Sequence, residues 1–545
     1  MALPARPSRR ALAAAAAVAL AGCAGIDLNV NRRTPGTIAD GRFAPGRPPA
    51  ARFGADPART CPAGEPMSIL ADEMVQLGAE NHRAPALPDG RLCQIAEALL
   101  AWDAAGPPPR PGVVAFAAAA SGLPTQVAPP VITDLETEDG KLIADRVGET
   151  IGRFAARVQQ PRFGVATQRV RHGVTKLVLV LADLPVDLQP VPRRLALGET
   201  AVIAGTFLGD VKNPAVYVSD VMGHLSEPPV LPGAAFRAEV TCGPRPGRIQ
   251  VEIRGEVDGR PAVLESFPIA CATDLPASVP VVDPDVWPAD PAGQARRLAA
   301  VANAERAAVG LPPLAWDEQL AAVAGSVSEA LRDEAKAGAA RSAVKVGERL
   351  LAVGIASTVV LQNPAEGRNV EAVSERFLSS PGHRANLMSP EVNTFGAGVV
   401  PVTLADGTPG VIVTELLIKE LPPIDVEKVR GQLRAAVAAK RRAARAAPLA
   451  DDPALDELAE GYATAMAAAH GAPPKAVSDA LDAALRHGFR AVNVISGARS
   501  DPMDFAEEPS VIGGGTVLGV GVAQGMHPVL GRHGIYVVVL VGQRR

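Results

Sequence analysis

Apolar positions recur at helical spacing in three separated places along the chain. After Asp317 come Leu320, Val323, Ala324 and Val327; after Asp452 come Leu455, Leu458, Ala459 and Tyr462; after Asp89 come Leu92, Ile95, Ala96 and Leu99. Each series follows the i, i+3, i+4, i+7 rule of one buried helix face. Each Asp stands where a helix N-cap belongs, and Pro453 takes the favoured first helical position. Residues 313–331, 448–466 and, more weakly, 86–102 therefore read as one helix used three times. A repeat of this kind divides the chain into modules before any chemistry is considered.

A second pattern closes each module. The runs FGVATQ…KLVLVLA, FGAGVV…GVIVTELLI and VLGVGVAQG…GIYVVVLVG predict two paired strands apiece. Each module thus runs helix, helix, irregular middle and two strands, an α+β layout with helices covering a small antiparallel sheet. Between residues 188 and 275 the period shortens. AVIAGTF, AVYVSDV, AFRAEVTC, RIQVEIRGEV and AVLESFPIAC alternate apolar with polar residues between Pro and Gly breaks. They predict a small all-β sandwich, immunoglobulin-like in kind, with strand order left open. The expected division is 62–185 (opening on a helix at 67–82), 188–275, a Pro/Asp linker at 276–291, then 292–420 and 424–545.

The N-terminus predicts export. Arg6, Arg9 and Arg10 precede an apolar stretch, residues 11–21, too short to span a bilayer. It ends in Leu20-Ala21-Gly22-Cys23, which resembles a bacterial lipobox. Residues 1–23 then read as a lipoprotein signal peptide, with Cys23 lipidated and the lipid membrane as a partner; an ordinary signal peptide is the alternative. Ala24 after the Cys favours, by the same resemblance, the outer membrane or cell surface. Residues 24–60, rich in Pro, Gly, Arg and Ala, read as a flexible tether. Four further cysteines suit an oxidising compartment, and pairing within modules gives Cys61–Cys93 and Cys242–Cys271. A net charge of -4 with no basic face excludes nucleic acid as a partner. Aromatics at 3% leave Ala to supply much of the 48% hydrophobic content.

Two strings carry a resemblance. ANAERAAVGLPPLAWDEQLAAVA and FLSSPGHRANLMSPEVNTFGAGVV, in residues 302–324 and 377–400, resemble the hallmarks of a bacterial CAP (SCP-like) domain. That is the family of cysteine-rich secretory proteins, antigen 5 and plant pathogenesis-related proteins. The outer modules resemble it as degenerate copies. The resemblance implies an α-β-α sandwich and a cleft where two His and two acidic residues can hold a divalent metal. His383 matches the His of the Ser-Pro-Gly-His motif. The second family His falls at Val327, followed by Ser328, and the family's Glu-Asn pair falls at Gln362-Asn363. Glu375 or Glu371 can supply a carboxylate, and Phe377 the usual aromatic. Catalytic zinc needs about three protein ligands and an open position. Val327 cannot ligate, and a neutral Gln binds zinc poorly. The outer modules place Leu99 and Tyr462 at the position of Val327. The expectation is therefore no cofactor and no complete catalytic set. The remaining catalytic candidates are His383, Ser380 and Glu375, and His383 is the one metal candidate. His383 can be a structural residue at a turn capped by Ser380 and relaxed by Gly382, a ligand contact in a residual cleft, or a metal ligand.

Other motifs add little. No H-E-x-x-H, phosphate-binding loop or G-x-S-x-G elbow occurs. The glycines at 513–515 read as turn residues, and His470, His487, His527 and His533 as solvated or turn positions. KRRAAR at 440–445 reads as a solvated helix face or as a contact for an anionic surface. Three functions compete: a non-enzymatic envelope lipoprotein binding a protein or ligand, a metal-dependent hydrolase of peptide or envelope polymer, and a lipid or small-molecule carrier.

Overall fold

The computed structural model describes residues 35–54, 60–62, 65–228, 235–257, 259–282, 287–336, 345–405, 407–473, 475, 479, 482–484 and 486–545. The signal peptide, Cys23, and residues 24–34 and 55–59 of the expected tether lie outside them. The chain divides into two compact units. One comprises Met1–Val216, Pro228–Pro246 and Glu252–Pro284, the other Tyr217–Glu227, Gly247–Val251 and Asp285–Arg545.

Three four-stranded sheets share one strand order. The first runs Leu87–Pro88, Pro161–Arg171, Val174–Asp183, Val131–Leu135. The second runs Ala315–Trp316, Thr394–Thr403, Pro409–Ile418, Val360–Gly367. The third runs Ala450–Asp451, Val517–His527, Gly531–Arg544, Phe489–Arg499. In each, the short leading strand is parallel to its neighbour and the other pairs are antiparallel. One hydrogen bond recurs at each junction: the N–H of Asp89, Asp317 and Asp452 donates to the carbonyl of Phe163, Phe395 and Leu518, at 2.9, 3.0 and 3.0 Å. The same three Asp side chains then cap the repeated helices, accepting from the N–H groups of Arg91, Leu320, and Ala454 with Leu455.

Glycine explains why helix and sheet meet so closely. A Cβ on Gly398 would lie 2.1 Å from the Gly325 N, and one on Gly521 2.1 Å from the Ala459 backbone. The repeated helix therefore rests on bare backbone, and the apolar positions around it fill the space. Leu320, Val323, Ala324 and Val327 pack with Ile412 and Leu416 on one face of the second sheet. On its other face Leu298, Phe377 and Leu387 pack with Val413 and Leu417. Helices on both faces of one sheet give the three-layer α-β-α arrangement.

The middles of the modules are more regular than their sequence suggests. Each supplies the fourth strand of its sheet, paired antiparallel, so the two closing strands are not a lone pair. The first middle also holds the helices Pro111–Ser121 and Gly140–Ala155. Ala-rich stretches and strands interrupted by Pro, such as Val360–Gly367, hide their periodicity.

Residues 186–271 form two further sheets. One runs Arg194–Leu195, Arg260–Cys271, Gly247–Val257, Lys212–Ser219, Leu225–Ser226, and the other Ala235–Thr241, Thr200–Phe207, Val186–Leu188. The Cys242–Cys271 disulfide links the two sheets, and Cys61–Cys93 ties residue 61 to the first repeated helix.

Two expectations need correction. Residues 35–54 are not a free tether. Thr37–Ala39 pairs with Arg42–Ala44, which pairs with Val279–Pro280 of the expected linker. Phe43 is 0% exposed, edge-on to Trp102 and Phe116. Two buried aromatics, Phe43 and Phe53, outweigh the Pro and Gly around them. The KRRAAR run is not one solvated face either. Arg441 is buried, and its guanidinium donates to the carbonyls of Ala447, Val511, Ile512 and Gly514.

Candidate functional site

The site is built around the helix Pro381–Met388, which begins on the Ser-Pro-Gly-His motif. The preceding helix, Val370–Ser379, is capped by the Asn369 side chain, which accepts from the Ala372 N–H at 2.8 Å. The break between the helices falls at Ser380-Pro381, because proline suits a first helical position and removes a donor that has no intrahelical partner there. Ser380 occupies the N-cap, but its hydroxyl makes no capping bond; the cap is its carbonyl, which accepts from the Arg384 N–H at 2.9 Å. The far end is held by Arg306, whose Nη1 donates to the carbonyls of Leu387 and Ser389, both at 2.8 Å. Arg306 is buried, and Arg441 plays the same part in the third module. Both stand equally far from their N-cap residues, Asp290 and Asp425.

His383 is half-buried, its ring edge-on to Phe377 at 5.1 Å. Beneath it lies a knot of amides and one acid. Asn363, 0% exposed, donates through Nδ2 to the His383 carbonyl at 3.1 Å and to Glu415 Oε2 at 3.0 Å. Its Oδ1 accepts from Asn386 Nδ2 at 2.8 Å, and Asn386 also donates to the Gln362 carbonyl at 3.1 Å. Glu415 is 2% exposed. Burial pushes its carboxyl up to about 8, against the smaller opposing effect of the Asn363 hydrogen bond. The acid is thus mostly neutral at pH 7.

The positions that the resemblance pairs with metal binding are otherwise engaged. Val327 is 2% exposed and packs against Leu331, Val346 and Ile412. Ser328 donates to Thr414 Oγ1 at 2.9 Å on that same side of the sheet. Tyr462 and Leu99 lie in the cores of their own modules. Gln362 is exposed, and Glu371 and Glu375 are half-buried on the helix before His383. Among the described residues, no three His, Cys, Asp or Glu side chains gather as a metal would require. One imidazole, two amides bonded to each other and to backbone carbonyls, and one buried carboxyl are a poor donor set for a divalent cation, which prefers several charged or imidazole ligands.

Of the catalytic candidates, Ser380 and His383 stand at the start of helix Pro381–Met388, and Glu375 stands on the helix before it. Sequence reasoning missed Glu415 and Arg384. Glu415 left a signal. In Val411–Ile418 the alternation puts residues 413, 415 and 417 on one face, so a Glu stands where Val and Leu flank it.

Residues 299–409, about a fifth of the chain, match the sequence profile of the CAP family, described as the cysteine-rich secretory protein family. No curated protein matches the chain. Among solved structures, an outer surface protein of Borrelia burgdorferi is similar at 16% identity over 23% of this chain and 92% of its own, with a TM-score of 0.20. An extracellular SCP-domain protein of Bacillus anthracis is similar at 18% identity over 44% and 83%, with a TM-score of 0.20. A cysteine-rich secretory protein of Staphylococcus aureus follows at 13% over 52% and 93%, also with a TM-score of 0.20.

Proposed function

We propose that this chain, with a domain of the cysteine-rich secretory protein family at residues 299–409, is an exported envelope lipoprotein that binds rather than catalyses. One observation carries the reading: the position of the second family His is filled by core side chains in all three modules, Leu99, Val327 and Tyr462. A site that has given a ligand position to the core keeps the fold and loses the metal chemistry. Two disulfides suit an oxidising compartment. No described helix is long and apolar enough to cross a membrane. Attachment then rests on acylated Cys23, whose chains contribute about 0.8 kcal/mol per buried CH₂. In the native host, Cys23→Ala moves the protein from the membrane fraction to the soluble exported fraction. An unchanged membrane fraction for that variant counts against the anchor.

A second reading, hydrolysis around His383, draws on Glu415, since a carboxyl held neutral near pH 7 is a general-acid property. Its burial beneath the helix argues for a structural acid. Labelling of the purified chain by serine-hydrolase probes, or metal-dependent peptide cleavage lost in His383→Ala, would favour this second reading.

A further inference from the structure

Arg384 follows His383 and has no part in the knot beneath it. Its side chain leaves the helix in another direction and is 2% exposed. Nη1 donates to Ser219 Oγ at 3.2 Å and to the Asp220 carbonyl at 2.8 Å, and Nη2 to the Val221 carbonyl at 3.3 Å. Among the described residues, Nε has no partner. The contact lies within one compact unit, since residues 217–227 group with the CAP domain.

The segment that Arg384 meets is shaped before it docks. The Gly223 N–H donates to the Asp220 carbonyl at 3.1 Å, and the Asp220 N–H to the His224 carbonyl at 3.1 Å. The Asp220 carboxylate accepts from the His224 N–H at 2.8 Å and lies 3.0 Å from the His224 ring Nδ1. The Asp220 carbonyl thus accepts both within the turn and from Arg384, and the Val221 carbonyl accepts from Arg384 as well. Gly223, at φ +86°, passes so near the helix that a Cβ would lie 2.2 Å from the Met388 Cβ. A second arginine reaches the other way: Arg248 Nη2 donates to the Leu378 carbonyl at 3.0 Å and lies 3.6 Å from Glu305.

Burying a guanidinium against neutral carbonyls is costly, and a Leu or Met would fill the space more cheaply. Burial and the nearby Arg248 lower the Arg384 guanidinium to about 10. What the arginine adds is recognition, because its planar fork can bridge two successive carbonyls while a lysine ammonium acts as a point charge. We infer that the face of helix Pro381–Met388 around Arg384 is a turn-recognition surface, and that residues 217–227 of this same chain are its resident ligand. The ligand class is a tight peptide turn offering consecutive main-chain carbonyls. The helix that carries His383 is therefore already occupied on this face. This deepens the binding reading of the same helix but stands on Arg384, so it can fail while the assignment of His383 holds.

The test is amide hydrogen exchange on the full chain. In Arg384→Gln, exchange in residues 217–227 is expected to rise about tenfold or more, while strand Pro409–Ile418 stays protected. Arg384→Lys falls between. Unchanged exchange in 217–227, with that strand still protected, overturns the proposal. Should Arg384→Gln not fold, the wild-type chain decides. The turn and helix Pro381–Met388 are expected to open together, and a turn exchanging more than about a hundredfold faster than the helix overturns the proposal.

Discussion

Glu415 shows how one buried acid makes the second unit sensitive to alkali. Its carboxyl is raised from 4.5 to about 8, so the folded state prefers the neutral form. A folded chain that holds a proton more tightly than the unfolded one loses stability as pH rises. The contribution is fully present below about pH 4.5 and is lost as pH climbs through about 8, by roughly 5 kcal/mol at the limit. Glu415→Gln keeps an acceptor for Asn363 and removes the titration. Thermal melts of that variant should fall less between pH 6 and pH 9 than those of the wild type; a parallel fall in both would count against this role. Glu265 in the first unit acts with the same sign: burial raises its carboxyl well above the usual range, with Arg91 opposing.

The shared strand order is the property of the elements. Each repeated helix lies on a strand through glycine, with Gly396 and Gly398 in the second module and Gly519 and Gly521 in the third. The first module keeps Gly164 and replaces the second glycine with Ala166. Gly398→Ala would drive a methyl into the helix backbone, and overpacking of this kind costs about 1–3 kcal/mol. Urea unfolding should show a loss in that range, and a Gly398→Ala chain as stable as the wild type would mean the close approach is not needed. The helices were legible because apolar spacing and Asp caps agree, and the closing strands because their apolar runs are long. The fourth strand of each sheet was not. Val360–Gly367 holds Gln, Asn, Pro, Glu and Gly, and only its pairing along Pro409–Ile418 makes it a strand. Phe43 and Phe53 were lost in a Pro-rich background for a similar reason, since only distant partners bury them. His383 was legible from its motif. Arg384 stood in the same motif, but its partners lie some 160 residues earlier in the chain.

At the scale of the molecule, the second unit joins two copies of the fold through Arg532. Its Nε and Nη2 donate to the two Glu420 oxygens at 2.6 and 3.0 Å, Nη2 also to Asp317 Oδ2 at 2.7 Å, and Nη1 to Gln319 Oε1 at 2.9 Å. Asp317 thus caps a helix of the CAP domain and grips the next module. Removing one partner of a half-buried network leaves the others uncompensated, at a cost of about 2–4 kcal/mol. Arg532→Ala should split the unfolding of this unit into two calorimetric transitions, and a single unshifted transition would refute the clamp. Under the proposed function, the CAP domain serves as a binding fold without a metal site. Calorimetric titration of zinc, manganese and magnesium into the soluble chain lacking residues 1–23, beside His383→Ala, tests it most directly. The account predicts the same weak, unsaturated heats for both proteins. Micromolar binding that the His383→Ala variant loses would contradict it.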